Sequence, residues 1–199
     1  MTVANRRNRL NTASRIPRGW LVLVTDEQRL PDPRAAMARL PPGAGIILRH
    51  YASERRQSLS REVAALARRR RLVLLVAGDW RLAAELGASG LHLPEGMARH
   101  GMLAGALGWV RRRGRLLLVA CHGPMALGRA RDLGADGVLL SPVYPTASHP
   151  GAATIGPVRF GLWAQRSPIP VIALGGMTRR RLRHLPGAAG MAAIGGLVG

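Results

Sequence analysis

Residues Pro170–Thr178 read PVIALGGMT. An apolar run ends in two glycines, and Thr178 is a residue type that caps helices. The run lacks the alternation of a half-solvated strand. It reads as a parallel strand covered on both faces. Gly175 and Gly176 let backbone N–H groups approach a ligand closely, and a helix start beyond them favours an anion. One strand, turn and helix start of this kind is the repeating unit of an α/β domain.

Working outward, the same unit recurs along the chain. Trp20–Val24 (WLVLV), Gly45–Leu48 (GIIL), Leu72–Val76 (LVLLV), Gly90–Leu93 (GLHL), Leu116–Ala120 (LLLVA), Gly137–Leu140 (GVLL) and Met191–Ile194 (MAAI) read as further strands. Between them Glu54–Arg70, Trp80–Leu86 and Pro124–Leu133 read as helices. Eight strands point to a compact (β/α)₈ TIM barrel rather than an open sheet. Leu86–Leu93 (LGASGLHL), Leu133–Leu140 (LGADGVLL) and Pro186–Ala193 (PGAAGMAA) form a weak internal repeat. In each, the first glycine suits a left-handed helix C-cap ahead of a strand. The barrel is expected over 19–199, with its last outer helix absent or reduced to a turn. Residues 1–18 are a basic tail or a short helix under the barrel, a segment that also offers cover for the missing helix.

The formal charge is +20 and all 30 basic residues are arginine. With no lysine, Schiff-base chemistry on a lysine amine is excluded. A single cysteine, Cys121, excludes an internal disulfide framework and a cysteine-cluster metal site, and it reads as packing. No run approaches the roughly 18 apolar residues of a membrane helix. The Arg-rich start lacks the apolar core of a secretory signal. A soluble cytoplasmic protein is expected, with no membrane partner and its oligomeric state open. Arg68–Arg71 and Arg111–Arg113 fall just before strands, at helix C-termini, where cations complement the helix dipole. They read as a solvated rim at the bottom of the barrel. No nucleic-acid motif accompanies them, so no nucleic-acid partner is expected.

Two loops carry chemistry. Ala193–Gly196 (AIGG) ends the eighth strand, and the loops after strands seven and eight commonly hold a phosphate in these barrels. Gly175, Gly176 and Gly195 are the expected phosphate cradle. Ser141–Pro150 (SPVYPTASHP) is a proline-stiffened loop over the mouth, bearing Thr146, Ser148 and His149.

Taken together, WLVLVTD at Trp20–Asp26, Leu48–Arg49, Leu86–Leu93, SPVYPT at Ser141–Thr146 and VIALGGMT at Val171–Thr178 resemble the thiamine phosphate synthase and thiazole tautomerase family in order and spacing. The resemblance spans about residues 19–198 and implies the same barrel. It implies a transferase of thiamine biosynthesis that joins a thiazole phosphate to a pyrimidine diphosphate, with Mg²⁺ and basic groups assisting departure of diphosphate. By motif, Arg49 contacts diphosphate, Thr146 and Ser148 line that region, and Gly176 and Gly195 hold the thiazole phosphate.

The chain departs from the family pattern at several of these places. QLREK becomes ILRHY at Ile47–Tyr51, and INDR becomes VAGD at Val76–Asp79. HLGQED becomes HLPEGM at His92–Met97, the loop lysine becomes His149, and the strand-five serine becomes Ala120. Mg²⁺ requires hard oxygen ligands, and Asp79 and Glu95 are the carboxylates left to supply them. Arg49, His50 and His149 are the groups left to replace the lost positive charge. The tautomerase branch moves a proton on a thiazole carboxylate phosphate and needs no metal pair. His122, in VACH, matches its histidine, and an imidazole suits proton shuttling. Three readings stay open: a transferase with a diverged diphosphate site, an acid–base isomerase using His122, and a paralogue that binds a phosphorylated ligand without turnover.

Overall fold

The computed structural model describes residues 15–51, 56–146, 151, 153–194 and 197. Strands β1 (Trp20–Val24), β2 (Gly45–Leu48), β3 (Val73–Ala77), β4 (Gly90–Leu93), β5 (Leu116–Cys121), β6 (Gly137–Leu140), β7 (Val171–Leu174) and β8 (Ala188–Ala193) pair in chain order. All neighbours are parallel, and β8 closes on β1. Helices α1 (Arg34–Ala38), α2 (Arg56–Arg70), α3 (Trp80–Glu85), α4 (Glu95–His100), α5 (Ala104–Arg112), α6 (Pro124–Leu133), α7 (Pro157–Arg166) and α8 (Arg179–Arg183) fill the crossovers. This is the expected (β/α)₈ TIM barrel.

Strands β1, β2, β4 and β6 and helix α6 have the bounds read from the sequence. Strand β8 starts earlier than MAAI suggested. Ala188 and Gly190 have little intrinsic β preference, but Val171 and Trp20 hold them in the ladder. Helices α1, α4, α5 and α7 are not evident in the sequence, and of α8 only the start at Thr178 is. Several are one or two turns long, and α5 and α7 carry glycines that weaken a helical pattern.

Two apolar layers build the domain. The outer cluster joins the helices to the outer strand faces, through residues such as Met37, Val63, Trp109 and Phe160. The lumen cluster takes alternate strand residues. Val22, Leu75, Leu118 and Ile172 come from the odd strands, and each sits opposite a glycine: Gly45, Gly90, Gly137 and Gly190. A Cβ at Gly45 would lie 2.8 Å from the Trp20 ring; at Gly90 or Gly190 it would lie 2.3 Å from a neighbouring backbone oxygen. The even strands give up a side chain at this level so that the odd strands can fill it. This explains the internal repeat. Its first glycines, Gly87, Gly134 and Gly187, have φ of 62°, 76° and 75° and end the preceding turn. Its second glycines belong to the barrel floor.

Ile16 is buried in the lumen cluster. Arg15 pairs with Asp136 at 3.0 Å and donates to the Gly114 carbonyl. Residues 15 and 16 thus close the barrel from below, on the β5–β6 side. Residues 1–14 lie outside the described residues. So does most of the stretch after Ile194, where the reduced last helix was expected. Arg68, Arg69 and Arg70 end α2, Arg111 and Arg112 end α5, and all are exposed at the bottom, as expected.

Gly190→Ala is expected to destabilise the protein by at least about 2 kcal/mol, because backbone atoms of β1 cannot retreat. Gly87→Ala meets nothing within 4 Å and carries only the strain of its φ, +62°, a cost of ~1 kcal/mol. Urea unfolding of the two variants checks this; equal losses would refute the floor-packing account.

Candidate active site

The C-terminal ends of the strands open onto a cavity of about 890 Å³. Barrels of this kind carry their chemistry at this end.

One corner is built from the ends of β1 and β2. Asp26 follows β1 and folds the chain back. Its Oδ1 accepts the N–H groups of Gln28 at 3.1 Å and Arg29 at 3.0 Å. This carboxylate-closed turn carries Arg29 to the cavity wall. Burial pushes the Asp26 carboxyl up, but those amides and the charges of Arg49 and Arg29 outweigh it and hold it below the usual range. Arg49 lines the cavity, with its N–H donated to Thr25 Oγ1 at 2.9 Å. The same hydroxyl lies 2.9 Å from His50 Nδ1, and His50 Nε2 lies 3.2 Å from the Pro31 carbonyl. A carbonyl only accepts, so Nε2 carries the proton and Nδ1 accepts from Thr25. His50 is 2% exposed and outside the cavity lining. It braces Arg49 from behind and is not among the groups that line the mouth, where the sequence had put it beside Arg49.

A second corner holds His122, just past β5. Its Nδ1 lies 2.8 Å from the Ser141 carbonyl, so Nδ1 carries the proton and Nε2 keeps the lone pair of the neutral ring. Glu95 Oε2 accepts the His122 N–H at 2.9 Å and stands 4.0 Å from Nε2. Glu95 Oε1 takes Arg99 at 3.1 Å. Cys121 points away as packing. Burial, with the nearby Glu95 charge, pushes its thiol up to about 12, where it is no nucleophile.

The third side is the turn after β7. Gly175 and Gly176 line the cavity with φ of 95° and 60°. A Cβ at Gly175 would lie 2.8 Å from Pro142, and one at Gly176 would lie 2.5 Å from the Pro145 carbonyl. The SPVYPT loop is therefore pressed directly onto this turn. Val143 and Tyr144 donate their N–H groups to the Leu174 and Gly175 carbonyls at 2.9 and 3.1 Å. Arg181 fastens the pair, stacking 4.4 Å from the Tyr144 ring centroid and donating to the Gly176 carbonyl. Thr178 caps α8 as expected, its Oγ1 accepting the Arg181 N–H at 3.2 Å. Thr146 also lines the cavity. Ser148, His149 and Gly195 lie outside the described residues.

The two candidate metal carboxylates are not brought together. Asp79 lines a separate cavity of about 650 Å³ with Arg56, Arg81 and Glu85. There it caps α3, accepting the Leu82 N–H at 3.0 Å, and its other oxygen faces Arg56 at 3.4 Å. Tyr51 and Met97 stand between the cavities and line both. Among the described residues no cluster of three His, Cys, Asp or Glu side chains forms. Glu95 has both oxygens engaged, and a thioether is a soft donor. These residues do not fit Mg²⁺, which wants several free hard oxygens.

Two further residues line the mouth, Arg29 and His92. Arg29 reaches the site only through the Asp26 turn. His92 lines the cavity at 5% exposure, with an Nδ1 that has no hydrogen-bond partner among the described residues. In the sequence it heads HLPEGM and stands two places after Gly90, hence on the lumen face of β4. Burial, reinforced by the Arg49 charge, pushes the His92 imidazole down from 6.5 to about 3. Between those values the unfolded chain binds a proton that the folded chain refuses. Stability from this group is complete above pH 6.5 and is lost as pH falls through that window. His92→Gln is expected to flatten the acid-side fall in unfolding free energy by up to ~1.4 kcal/mol per pH unit. Urea melts between pH 4 and 7 measure it, and an unchanged slope means the imidazole titrates normally.

The family described as thiamine monophosphate synthase matches residues 21–197. Thiamine-phosphate synthase of Bordetella avium is 33% identical over 157 residues, covering 74% of this chain and 66% of the relative. Thiamine-phosphate synthase of Bordetella bronchiseptica is 32% identical over 197 residues, covering 92% of this chain and 88% of the relative. The solved structure of thiamine phosphate pyrophosphorylase from Pyrococcus furiosus shares the fold, with a TM-score of 0.69 at 18% identity over 92% of this chain and 87% of that one. No helix among the described residues is long and apolar enough to cross a membrane. With its SPVYPT loop locked onto the Gly-Gly turn at the mouth of a closed barrel, the chain belongs to the thiamine monophosphate synthase family, a family of transferases in thiamine biosynthesis.

Proposed function

We propose that this chain is a cytoplasmic transferase that joins a thiazole phosphate to a pyrimidine diphosphate. One observation carries the reading: the Gly175–Gly176 turn and Arg49 line a single cavity, which at about 890 Å³ has room for two small substrates. The thiazole phosphate sits by the glycine turn, with Gly195 completing its cradle and Thr146 on the diphosphate side. The pyrimidine diphosphate lies towards Arg49, with Ser148 and His149 on the loop above. The C–O bond to diphosphate breaks with its electron pair, and the thiazole nitrogen lone pair forms the new C–N bond. Arg49 stabilises the charge that collects on the departing oxygen. Because the carboxylates do not fit Mg²⁺, no step is assigned to a metal.

A second reading has its own support. His122 has a fixed tautomer, a free lone pair at Nε2 and a carboxylate 4.0 Å away. That is the equipment of an acid–base isomerase acting on a thiazole carboxylate phosphate.

Purified protein given both substrates is expected to form thiamine phosphate, and Arg49→Ala to slow this about 100-fold or more. Solvent-proton exchange into the thiazole substrate without coupling, lost by a factor of about 10²–10⁴ in His122→Ala, would establish the isomerase instead. Binding of thiazole phosphate with neither reaction marks a non-catalytic paralogue. Failure to bind it at all sinks all three.

A further inference from the structure

A diphosphate brings concentrated negative charge into the mouth. Enzymes meet such charge with divalent cations or with preorganised basic groups. The cation has little to hold it here. Among the described lining residues Glu95 is the one carboxylate, and its oxygens are taken by the His122 N–H and by Arg99. Asp79 lies behind Tyr51 and Met97.

The basic route is well supplied. Arg29 and Arg49 line the same cavity from adjacent strand ends. Both positive charges act on the Asp26 carboxylate and help to hold it below the usual range. Their backbones are fixed, Arg29 by Asp26 at 3.0 Å and Arg49 by Thr25 at 2.9 Å. Each guanidinium carries N–H donors in a planar fork that matches phosphate oxygens two at a time. Beside them, the buried Nδ1 of His92 has no partner among the described residues.

We propose that Arg29 joins Arg49 in a two-guanidinium clamp that holds a diphosphate in the barrel mouth without a divalent cation. The identity of the diphosphate rests on the transferase reading; the clamp itself does not. Asp26 orients Arg29 through the turn it closes. The charge released when the C–O bond breaks then falls between two fixed cations, where a metal pair would otherwise be needed.

Calorimetric titration of the full chain with inorganic pyrophosphate, in EDTA and in excess Mg²⁺, tests this. Binding is expected in EDTA, with Mg²⁺ improving it by no more than about threefold. Orthophosphate binds more weakly. Arg29→Gln and Arg49→Gln each weaken pyrophosphate binding about tenfold or more. Arg111→Gln, on the bottom rim, binds like the parent, which separates a clamp from general attraction to a chain of charge +20. Thermal melts confirm that the variants fold. Where a glutamine variant does not, the lysine replacement, which keeps the charge and loses the fork, is held to the direction of the same loss. Binding that appears only with Mg²⁺, or survives in both arginine variants, or falls equally in Arg111→Gln, overturns the clamp. Coupling assayed in parallel keeps the two ideas apart. Pyrophosphate binding without coupling removes the transferase and leaves the clamp. Coupling that requires Mg²⁺, with no pyrophosphate binding in EDTA, removes the clamp and leaves the transferase.

Discussion

The whole barrel depends on a steric exchange in its floor. Eight parallel strands cannot all point full side chains at one level of so narrow a lumen. Here the odd strands keep Val22, Leu75, Leu118 and Ile172, and the even strands answer with Gly45, Gly90, Gly137 and Gly190. The close approach of backbone to backbone at Gly90 and Gly190 leaves no room for a single added carbon. That tight floor fixes the register, and the register decides which residues stand at the strand ends. Arg49, His92, His122 and Gly175 face one cavity as a result.

Much of this was legible beforehand. Runs apolar on both faces announce covered parallel strands, and eight of them close a barrel. The spacing of glycines in LGASGLHL and LGADGVLL marked a helix cap and a strand start, although not that the second glycine yields space to a neighbour. Gly175, Gly176, Thr146, Arg49 and His122 line the mouth, where their motifs put them, while Gly195 lies outside the described residues. The failures have physical causes. Asp79 and Glu95 end neighbouring strands and look close in sequence. Asp79 is drawn outwards by the Leu82 amide of α3, while Glu95 turns towards the His122 amide. A side chain's choice of backbone partner is settled in three dimensions. His50 was counted as spare charge, yet Thr25 and Pro31 claim both of its nitrogens. Arg29 was invisible because one carboxylate, accepting two amides, turns the loop that delivers it.

The mouth is electrostatically lopsided. Its β1–β2 side carries guanidinium groups, and its β4–β5 side a carboxylate beside an imidazole of fixed tautomer. A transferase needs the first to take up leaving-group charge; an isomerase needs the second to move a proton. One barrel mouth presents both kinds of group, on opposite sides of a single cavity. The losses relative to the family pattern remove lysines and carboxylates, together with a glutamine at Ile47 and a serine at Ala120, and leave the glycine turn and SPVYPT intact.

The wall shared by the two cavities has a further consequence. It consists of Tyr51 and Met97, and methionine is an unbranched, adaptable side chain. Across the mouth, the boundary is backbone against backbone at Pro142 and Gly175. The recess therefore has one compliant side and one rigid side. Ligands that differ in bulk near Pro142 meet a hard limit there. Ligands that differ in bulk near Met97 meet a side chain able to give way towards Asp79. Selection by shape belongs to the rigid end.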